Sequence, residues 1–147
     1  PEFNDGAKAD LSEVELESGT VKVLIAGAAT ETTPFYSPDG RYLAFVKSDD
    51  QPSSIRGQRV ALLDLATRAA RPLALTPDET PRLLGWSPDS KRVLVTEPRR
   101  TRTAVYALPV DGPLSTVHEP DKGVLQMEDT FSNDGTWAGA VYSSASE

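Results

Sequence analysis

The stretch FYSPDGRYLAFV (residues 35–46) occurs three times, in altered form, in this sequence of 147 residues. Its relatives are GWSPDSKRVLVT (residues 85–96) and TFSNDGTWAGAV (residues 130–141). Aligning Ser37, Ser87 and Ser132 shows that the copies repeat at intervals of 50 and then 45 residues. Repeats of this length are typical of solenoids and propellers, and the content of the repeat decides between the two.

Each copy contains a tight turn followed by a run of β-branched and aromatic residues, which predicts a β-hairpin. Pro38 fits position i+1 of the turn, Asp39 fits i+2, and Gly40 can take the positive φ that leads into the next strand. Ser90 replaces this glycine in the second copy, at a cost of about 1 kcal/mol if its φ is positive. We assign to the turn motif Ser37, Pro38, Asp39, Gly40, Ser87, Pro88, Asp89, Ser132, Asp134 and Gly135.

A second hairpin is expected after each of the first two copies. The two segments are RVALLDLATRAARPLAL (residues 59–75) and TAVYALPVDGPLSTVHE (residues 103–119), with turns expected near Asp64 and Asp111. Each repeat then holds four antiparallel strands in about 45 residues, which is typical of a propeller blade.

We therefore predict an all-β fold, a partial β-propeller of four-stranded antiparallel blades with about three blades' worth of strands. Its parts are a half blade at 9–26, a blade at 30–76, a blade at 80–118 and a half blade at 125–142. Residues 1–8 are interpreted as a cloning remnant or disordered start, and residues 9–147 as the propeller. A plain antiparallel sandwich is the alternative, whereas the scattered prolines disfavour a helical fold.

Composition excludes several classes of partner. A net charge of −7 argues against nucleic acid, because proteins that bind phosphates usually present a basic face. The longest apolar run, near VKVLIAGAA, is well short of the roughly 18 residues that span a membrane. The sequence contains no cysteine, which excludes disulfides and thiolate zinc sites but leaves a periplasmic or cytoplasmic location open.

The repeats YSPDGRYLAF, WSPDSKRVLV and FSNDGTWAGA resemble the TolB-type propeller repeat, in which S-P-D-G precedes a short β-strand. The same repeat occurs in the N-terminal propellers of prolyl-oligopeptidase-family serine peptidases, including dipeptidyl peptidases. The resemblance covers nearly the whole chain from about Ala9, and the third copy departs most from the pattern. It implies a propeller fold and is weaker evidence for function.

In the peptidase family, the propeller caps an α/β-hydrolase domain and restricts access to short peptides. The catalytic serine of such a domain lies in a G-x-S-x-G motif, which this sequence lacks, and His118 is the only histidine. We therefore expect no catalytic residue, cofactor or metal site in this chain, and a substrate-gating role beside a hydrolase domain. The alternative is a TolB-like module that binds other proteins on one propeller face.

Two groups of charged residues are candidates for substrate binding. Arg99, Arg100 and Arg102 are expected on a loop between strands, and arginine suits bidentate recognition of a substrate carboxylate. Glu128 and Asp129 form an acidic pair that we consider for holding a peptide amino terminus. The aspartates of the turn motif are interpreted as braces of their own turns rather than metal ligands.

Packing between blades has two further consequences. Five aromatic residues are expected in blade cores or between blades: Tyr36, Phe45, Trp86, Phe131 and Trp137. An incomplete propeller also leaves apolar faces and strand edges open at both ends, and such surfaces promote association. We therefore predict a homodimer or higher oligomer, in which the open half blades of two chains complete each other.

Overall fold

The computed structural model describes residues 9–48, 57–121, 124–132, 134 and 136–143. The side chains of residues 124–131 and 142 are outside this description, as are Gly135 and the segment 1–8. All elements within the described residues are β-strands, and no helix occurs among them. The described part of the chain is therefore all-β.

Two four-stranded sheets form the middle of the chain. Blade 1 consists of β3 (Glu31–Tyr36), β4 (Tyr42–Ser48), β5 (Gln58–Asp64) and β6 (Ala70–Pro72). Blade 2 consists of β7 (Arg82–Trp86), β8 (Arg92–Arg99), β9 (Arg102–Pro109) and β10 (Ser115–His118). Within each blade the strands lie side by side in chain order, and all neighbours are antiparallel.

A two-stranded sheet lies at each end of the described chain. The first hairpin is formed by β1 (Leu11–Val14) and β2 (Val21–Ile25), and the last hairpin by β11 (Val124–Phe131) and β12 (Ala138–Ser143). Both pairs are antiparallel. The segment VALLDLATRAA, whose composition resembles that of a helix, forms strand β5, a turn and the start of β6.

The main hydrophobic core lies between blade 1 and blade 2. One face of blade 1 packs against blade 2 through a cluster that includes Ala44, Val46, Val60, Leu62, Trp86, Val93, Val95, Tyr106 and Leu108. The opposite face of blade 1 carries Leu43, Phe45, Ala61 and Leu63, which pack against Leu11 of the first hairpin. Because both faces of β4 and β5 are covered, these strands have nearly continuous apolar sequences instead of alternating ones.

Several specific contacts join blade 1 to blade 2, and three of them lie near the ends of the first strands. The indole Nε1 of Trp86 donates a hydrogen bond to the carbonyl oxygen of Phe35, at 3.0 Å. The rings of Trp86 and Tyr42 are stacked, with centroids 6.3 Å apart. The backbone N–H of Asp39 donates to the hydroxyl oxygen of Ser90, at 3.1 Å. The two blades therefore have a fixed relative position at the ends of their first strands.

The expectation that the aromatic residues are buried is right for two residues and wrong for two. Phe45 and Trp86 are buried, whereas Tyr36 is 53% exposed and Trp137 is 75% exposed. The hydroxyl of Tyr36 donates a hydrogen bond to the Glu13 carboxylate of the first hairpin, at 3.4 Å. Trp137 lies in the turn of the last hairpin, directly before β12, and its side chain is left exposed there. Phe131 has its side chain outside the described residues.

Candidate functional site

The first copy of the turn motif is closed by its own side chains. The Ser37 hydroxyl donates to Oδ1 of Asp39 at 2.6 Å, and the same oxygen accepts the backbone N–H of Arg41 at 3.1 Å. Ser37 Oγ also accepts the backbone N–H of Tyr42 at 2.9 Å. The Asp39 carboxylate is thus engaged in bracing the turn.

The same bonds recur in the other two copies. Ser87 donates to Asp89 and Ser132 donates to Asp134, both at 2.6 Å. The serine hydroxyl is the main cause that lowers the pKa of the aspartate in all three turns, and a backbone N–H two residues further on is the second cause. These carboxylates are ionised at neutral pH and serve as structural acceptors.

Position 90 shows how the second turn differs from the first. Ser90 has φ of 57° and Gly40 has φ of 70°, so both occupy the left-handed region that favours glycine. Ser90 is buried, and its hydroxyl oxygen accepts the N–H of Asp39 in the neighbouring blade. This bond between blades offsets part of the conformational cost that was expected for serine at this position.

The three candidate arginines lie together at the tip of one hairpin. Arg99 ends β8 and pairs with Arg102 at the start of β9, so only Arg100 and Thr101 form the turn. The loop expected between these strands is therefore a two-residue turn, because the pairing of β8 with β9 extends to Arg99 and Arg102. Arg100 has φ of 58°, within the left-handed region.

An open, polar cleft of about 550 Å³ lies beside this arginine hairpin. Its lining consists of Asp78, Arg99, Arg100, Thr101, Arg102 and Glu119. Arg99 forms an ion pair with Asp78, with 3.0 Å between the guanidinium nitrogen and the carboxylate oxygen. Desolvation lowers the pKa of Arg99 but the attraction of Asp78 raises it, and the net shift is upward.

Arg100 and Arg102 are the available cations of this cleft. Both side chains are exposed, and neither forms an ion pair with any part of the chain that the structure describes. A planar guanidinium carries donors that match both oxygens of a carboxylate. The cleft therefore has the chemistry to bind a small anion or a peptide carboxylate at its rim.

A buried glutamate that sequence reasoning missed positions this cleft. Glu97 is fully buried, and its carboxylate accepts the hydroxyl of Thr76 at 2.5 Å, the N–H of Asp78 at 3.1 Å and the N–H of Thr80 at 2.9 Å. These bonds fix the segment that enters blade 2, and with it the Asp78 carboxylate that holds Arg99. The signal in the sequence is a carboxylate inside the apolar run RVLVTEP, where both faces of the strand are covered.

The remaining candidates lie on other strands of the chain. Glu128 and Asp129 belong to β11, but their side chains lie outside the described residues. His118 is exposed at the end of β10. Within residues 9–48, 57–121 and the described parts of 124–143, no three acidic or histidine side chains are grouped closely enough to hold a metal ion. The same residues include no helix able to cross a bilayer.

Comparisons with known proteins identify the fold. No protein-family model and no curated protein matches the sequence. Among solved structures, TolB from Acinetobacter baumannii matches with a TM-score of 0.67 and 20% identity, over 94% of this chain and 33% of TolB. A prolyl endopeptidase, from a study of inter-domain dynamics in catalysis and specificity, matches with a TM-score of 0.66 and 21% identity, over 92% of this chain and 23% of the endopeptidase.

These matches confirm the predicted partial β-propeller. The chain has a TolB-like propeller fold, which is also similar to part of a prolyl endopeptidase. It spans about a third of the length of TolB and less than a quarter of the endopeptidase.

Proposed function

We propose that this chain is a noncatalytic propeller segment of a prolyl-oligopeptidase-like serine peptidase, in which it gates access of peptide substrates to an α/β-hydrolase domain. The observation that carries the proposal is the cleft at the arginine hairpin, on a fold similar to part of a prolyl endopeptidase. A gate that admits short peptides benefits from cations that recognise the carboxylate at a peptide end.

Each arginine of the hairpin has its own part in this proposal. Arg99 is held by Asp78, so its position is fixed and its charge is largely balanced by that carboxylate. Arg100 and Arg102 are exposed and contact the substrate carboxylate directly. Because the site is open to water, each contact contributes modestly, about 1 kcal/mol or less. The hairpin therefore selects and orients peptides without binding them tightly.

A second candidate function is a TolB-like module that binds a protein partner on one propeller face. It is favoured by the match to TolB, whose TM-score of 0.67 is similar to the 0.66 found for the endopeptidase. The two functions differ in the coding sequence that follows residue 147. A hydrolase domain with a G-x-S-x-G motif supports the peptidase proposal, whereas further blades followed by a stop codon support the interaction module and contradict the gating role.

Peptide binding provides a direct test of the arginine cleft. We expect a fluorescent short peptide with a free C-terminal carboxylate to bind more tightly than the same peptide with an amidated end. The double variant Arg100→Ala with Arg102→Ala is expected to weaken binding about tenfold, corresponding to about 1.4 kcal/mol. Fluorescence anisotropy measures both differences.

Arg68→Ala is the matched control for this experiment. Arg68 also lies in a hairpin turn with positive φ, at 61°, but it is in blade 1 and does not line the cleft. Its replacement is expected to leave peptide affinity unchanged. Equal affinity for the free and amidated peptides, or equal losses in both variants, would contradict carboxylate recognition by this hairpin. Hydrolysis of the peptide by the chain alone would contradict the noncatalytic assignment.

A further inference from the structure

Asp78, in the wall of the arginine cleft, is held at two points by strand β8. The buried carboxylate of Glu97 accepts the backbone N–H of Asp78 at 3.1 Å, and the guanidinium of Arg99 lies 3.0 Å from the Asp78 carboxylate. Side chains two positions apart point to the same side of a strand, so both contacts come from one face of β8. The backbone and the side chain of Asp78 are therefore fixed together.

The turn that carries Asp78 is also held from blade 1. Glu79 N–H donates to Thr76 O at 3.3 Å, which closes the turn, and Glu79 O accepts the N–H of Gln58 at 2.7 Å. Glu79 has φ of 51°, in the left-handed region that a residue with a side chain occupies only when its surroundings hold it there. Asp78 is thus a built part of the cleft wall.

The ion pair with Asp78 reduces the number of cations that the cleft offers to a ligand. The side chains of Asp78 and Arg99 are 46% and 34% exposed, so the pair lies at the wall of the cleft, where a ligand carboxylate would compete for the same guanidinium. Glu119 is the other carboxylate of the lining, and it forms no ion pair among the described side chains. The remaining cations are Arg100 and Arg102.

We propose that Asp78 is a specificity-determining residue, which makes the cleft accept a peptide end with one negative charge and reject a peptide whose last residue is acidic. The inference rests on the proposed function, in which Arg100 and Arg102 hold the terminal carboxylate. A second carboxylate, on the side chain of the last residue, requires Arg99, which Asp78 occupies, and it is repelled by Glu119. The substrate class is therefore peptides with a neutral or basic C-terminal residue.

Asp78→Asn tests this selection, because it removes the negative charge but keeps the backbone N–H that Glu97 holds. The probes are two labelled peptides, trialanine followed by glutamine or by glutamate, and fluorescence anisotropy measures each Kd. The natural chain is expected to bind the glutamine peptide at least as tightly as the glutamate peptide. The variant is expected to prefer the glutamate peptide about fivefold, since Arg99 becomes accessible to the second carboxylate.

Asp111→Asn is the matched control. Asp111 forms an ion pair with Arg71 at the same distance of 3.0 Å, but neither residue lines the cleft. This variant loses the same charge and is expected to leave the ratio of the two Kd values unchanged. The double variant of Asp78→Asn with Arg99→Gln is expected to restore the preference of the natural chain, because the cation that Asp78→Asn releases is removed.

Glu119→Gln provides a second variant that does not disturb the Glu97 bonds. Glu119 is exposed, and its replacement is expected to improve binding of the glutamate peptide about twofold relative to the glutamine peptide, because a repulsive charge is removed. Both peptides are compared on the same protein, so a partial loss of folding lowers both affinities and does not alter their ratio.

The outcomes distinguish this inference from the proposed function. If the natural chain binds free and amidated peptides equally, carboxylate recognition by the cleft is wrong, and the selection by Asp78 is wrong with it. If the free peptide is preferred but Asp78→Asn leaves the ratio for glutamate and glutamine unchanged, the proposed function stands and the inference is overturned. A tighter glutamate peptide in the natural chain, or the same reversal in Asp111→Asn, would also overturn it.

Discussion

Blade 1 and blade 2 contain the same turn motif, but they differ in how the segment that enters each blade is held. In blade 1, Ser48 at the end of β4 accepts the N–H of Thr30 at 2.9 Å and donates its own N–H to Thr30 O at 3.0 Å. In blade 2 the equivalent threonine, Thr80, donates to the buried carboxylate of Glu97. The position of Glu97 is occupied in blade 1 by Lys47. A local turn is thus repeated almost unchanged, while contacts between distant segments are specific to each blade.

The largest expected effect comes from removing the Trp86 side chain, which joins blade 1 to blade 2. Trp86→Ala is expected to lower the free energy of unfolding by about 3–5 kcal/mol, because a buried indole, its ring stacking and its bond to Phe35 are lost together. Trp137→Ala is the matched control, and we expect a change within about 0.5 kcal/mol because this indole is exposed. Urea unfolding measures both, and similar losses in the two variants would refute the assignment of Trp86 as the joint.

The entry segment of blade 2 is expected to give the next largest effect. Glu97→Ala removes the acceptor of three hydrogen bonds and leaves the buried hydroxyl of Thr76 without its partner, at a cost of about 2–3 kcal/mol. Ser48→Ala in blade 1 removes one acceptor and is expected to cost about 1 kcal/mol. Thermal unfolding with hydrogen exchange of the Thr80 and Thr30 amides compares the two. Equal costs would contradict the expectation that Glu97 stabilises the entry segment of blade 2 more than Ser48 stabilises that of blade 1.

A smaller effect is expected at the left-handed position of the turns. Gly40→Ser is expected to cost about 1 kcal/mol, because it introduces a side chain at positive φ. Ser90→Gly is expected to be nearly neutral, since relief of the same strain is offset by loss of the bond to Asp39. Ser90→Ala retains the strain and loses the bond, so it is expected to cost about 1 kcal/mol. If Ser90→Gly were clearly stabilising, the hydroxyl would contribute nothing between the blades.

The smallest expected effect is a loss of folding stability at acidic pH, to which all three turns contribute. The folded-state pKa of Asp39, Asp89 and Asp134 lies below the ordinary 3.8, so the stability that they contribute is present above that value. It is lost as the pH falls from about 3.8 through the lower folded-state pKa. Asp89→Asn is expected to reduce the loss of stability between neutral pH and about pH 3. A pH profile of the unfolding midpoint identical to that of the natural chain would contradict this linkage.

The features that could be predicted from the sequence depend on residues close together in the chain. The spacing of the turn motifs, the proline and aspartate in each turn and the apolar runs of β4 and β8 lead directly to antiparallel hairpins. The grouping of Arg99, Arg100 and Arg102 follows from the same local pattern. The hydrogen bonds within the turns are described by the structure. Substrate binding by the candidate residues stays a prediction.

The features that could not be predicted depend on contacts between distant segments. Asp78 and Arg99 are 21 positions apart, and their pairing requires the bonds that Glu97 makes with residues 76–80. Glu97 itself is recognisable only once both faces of β8 are known to be covered. The exposure of Tyr36 and Trp137 was missed for a similar reason, because the burial of an aromatic residue depends on which neighbouring sheet lies against it.

The contrast between the two tryptophans gives this chain a built-in spectroscopic probe. Trp86 is 7% exposed at the joint between the blades, and Trp137 is 75% exposed at the last hairpin. Trp137 supplies long-wavelength fluorescence that a water-soluble quencher reduces first, while Trp86 supplies shorter-wavelength emission shielded from that quencher. With no third tryptophan in the sequence, a red shift of the shielded component reports separation of the two blades even where secondary structure persists.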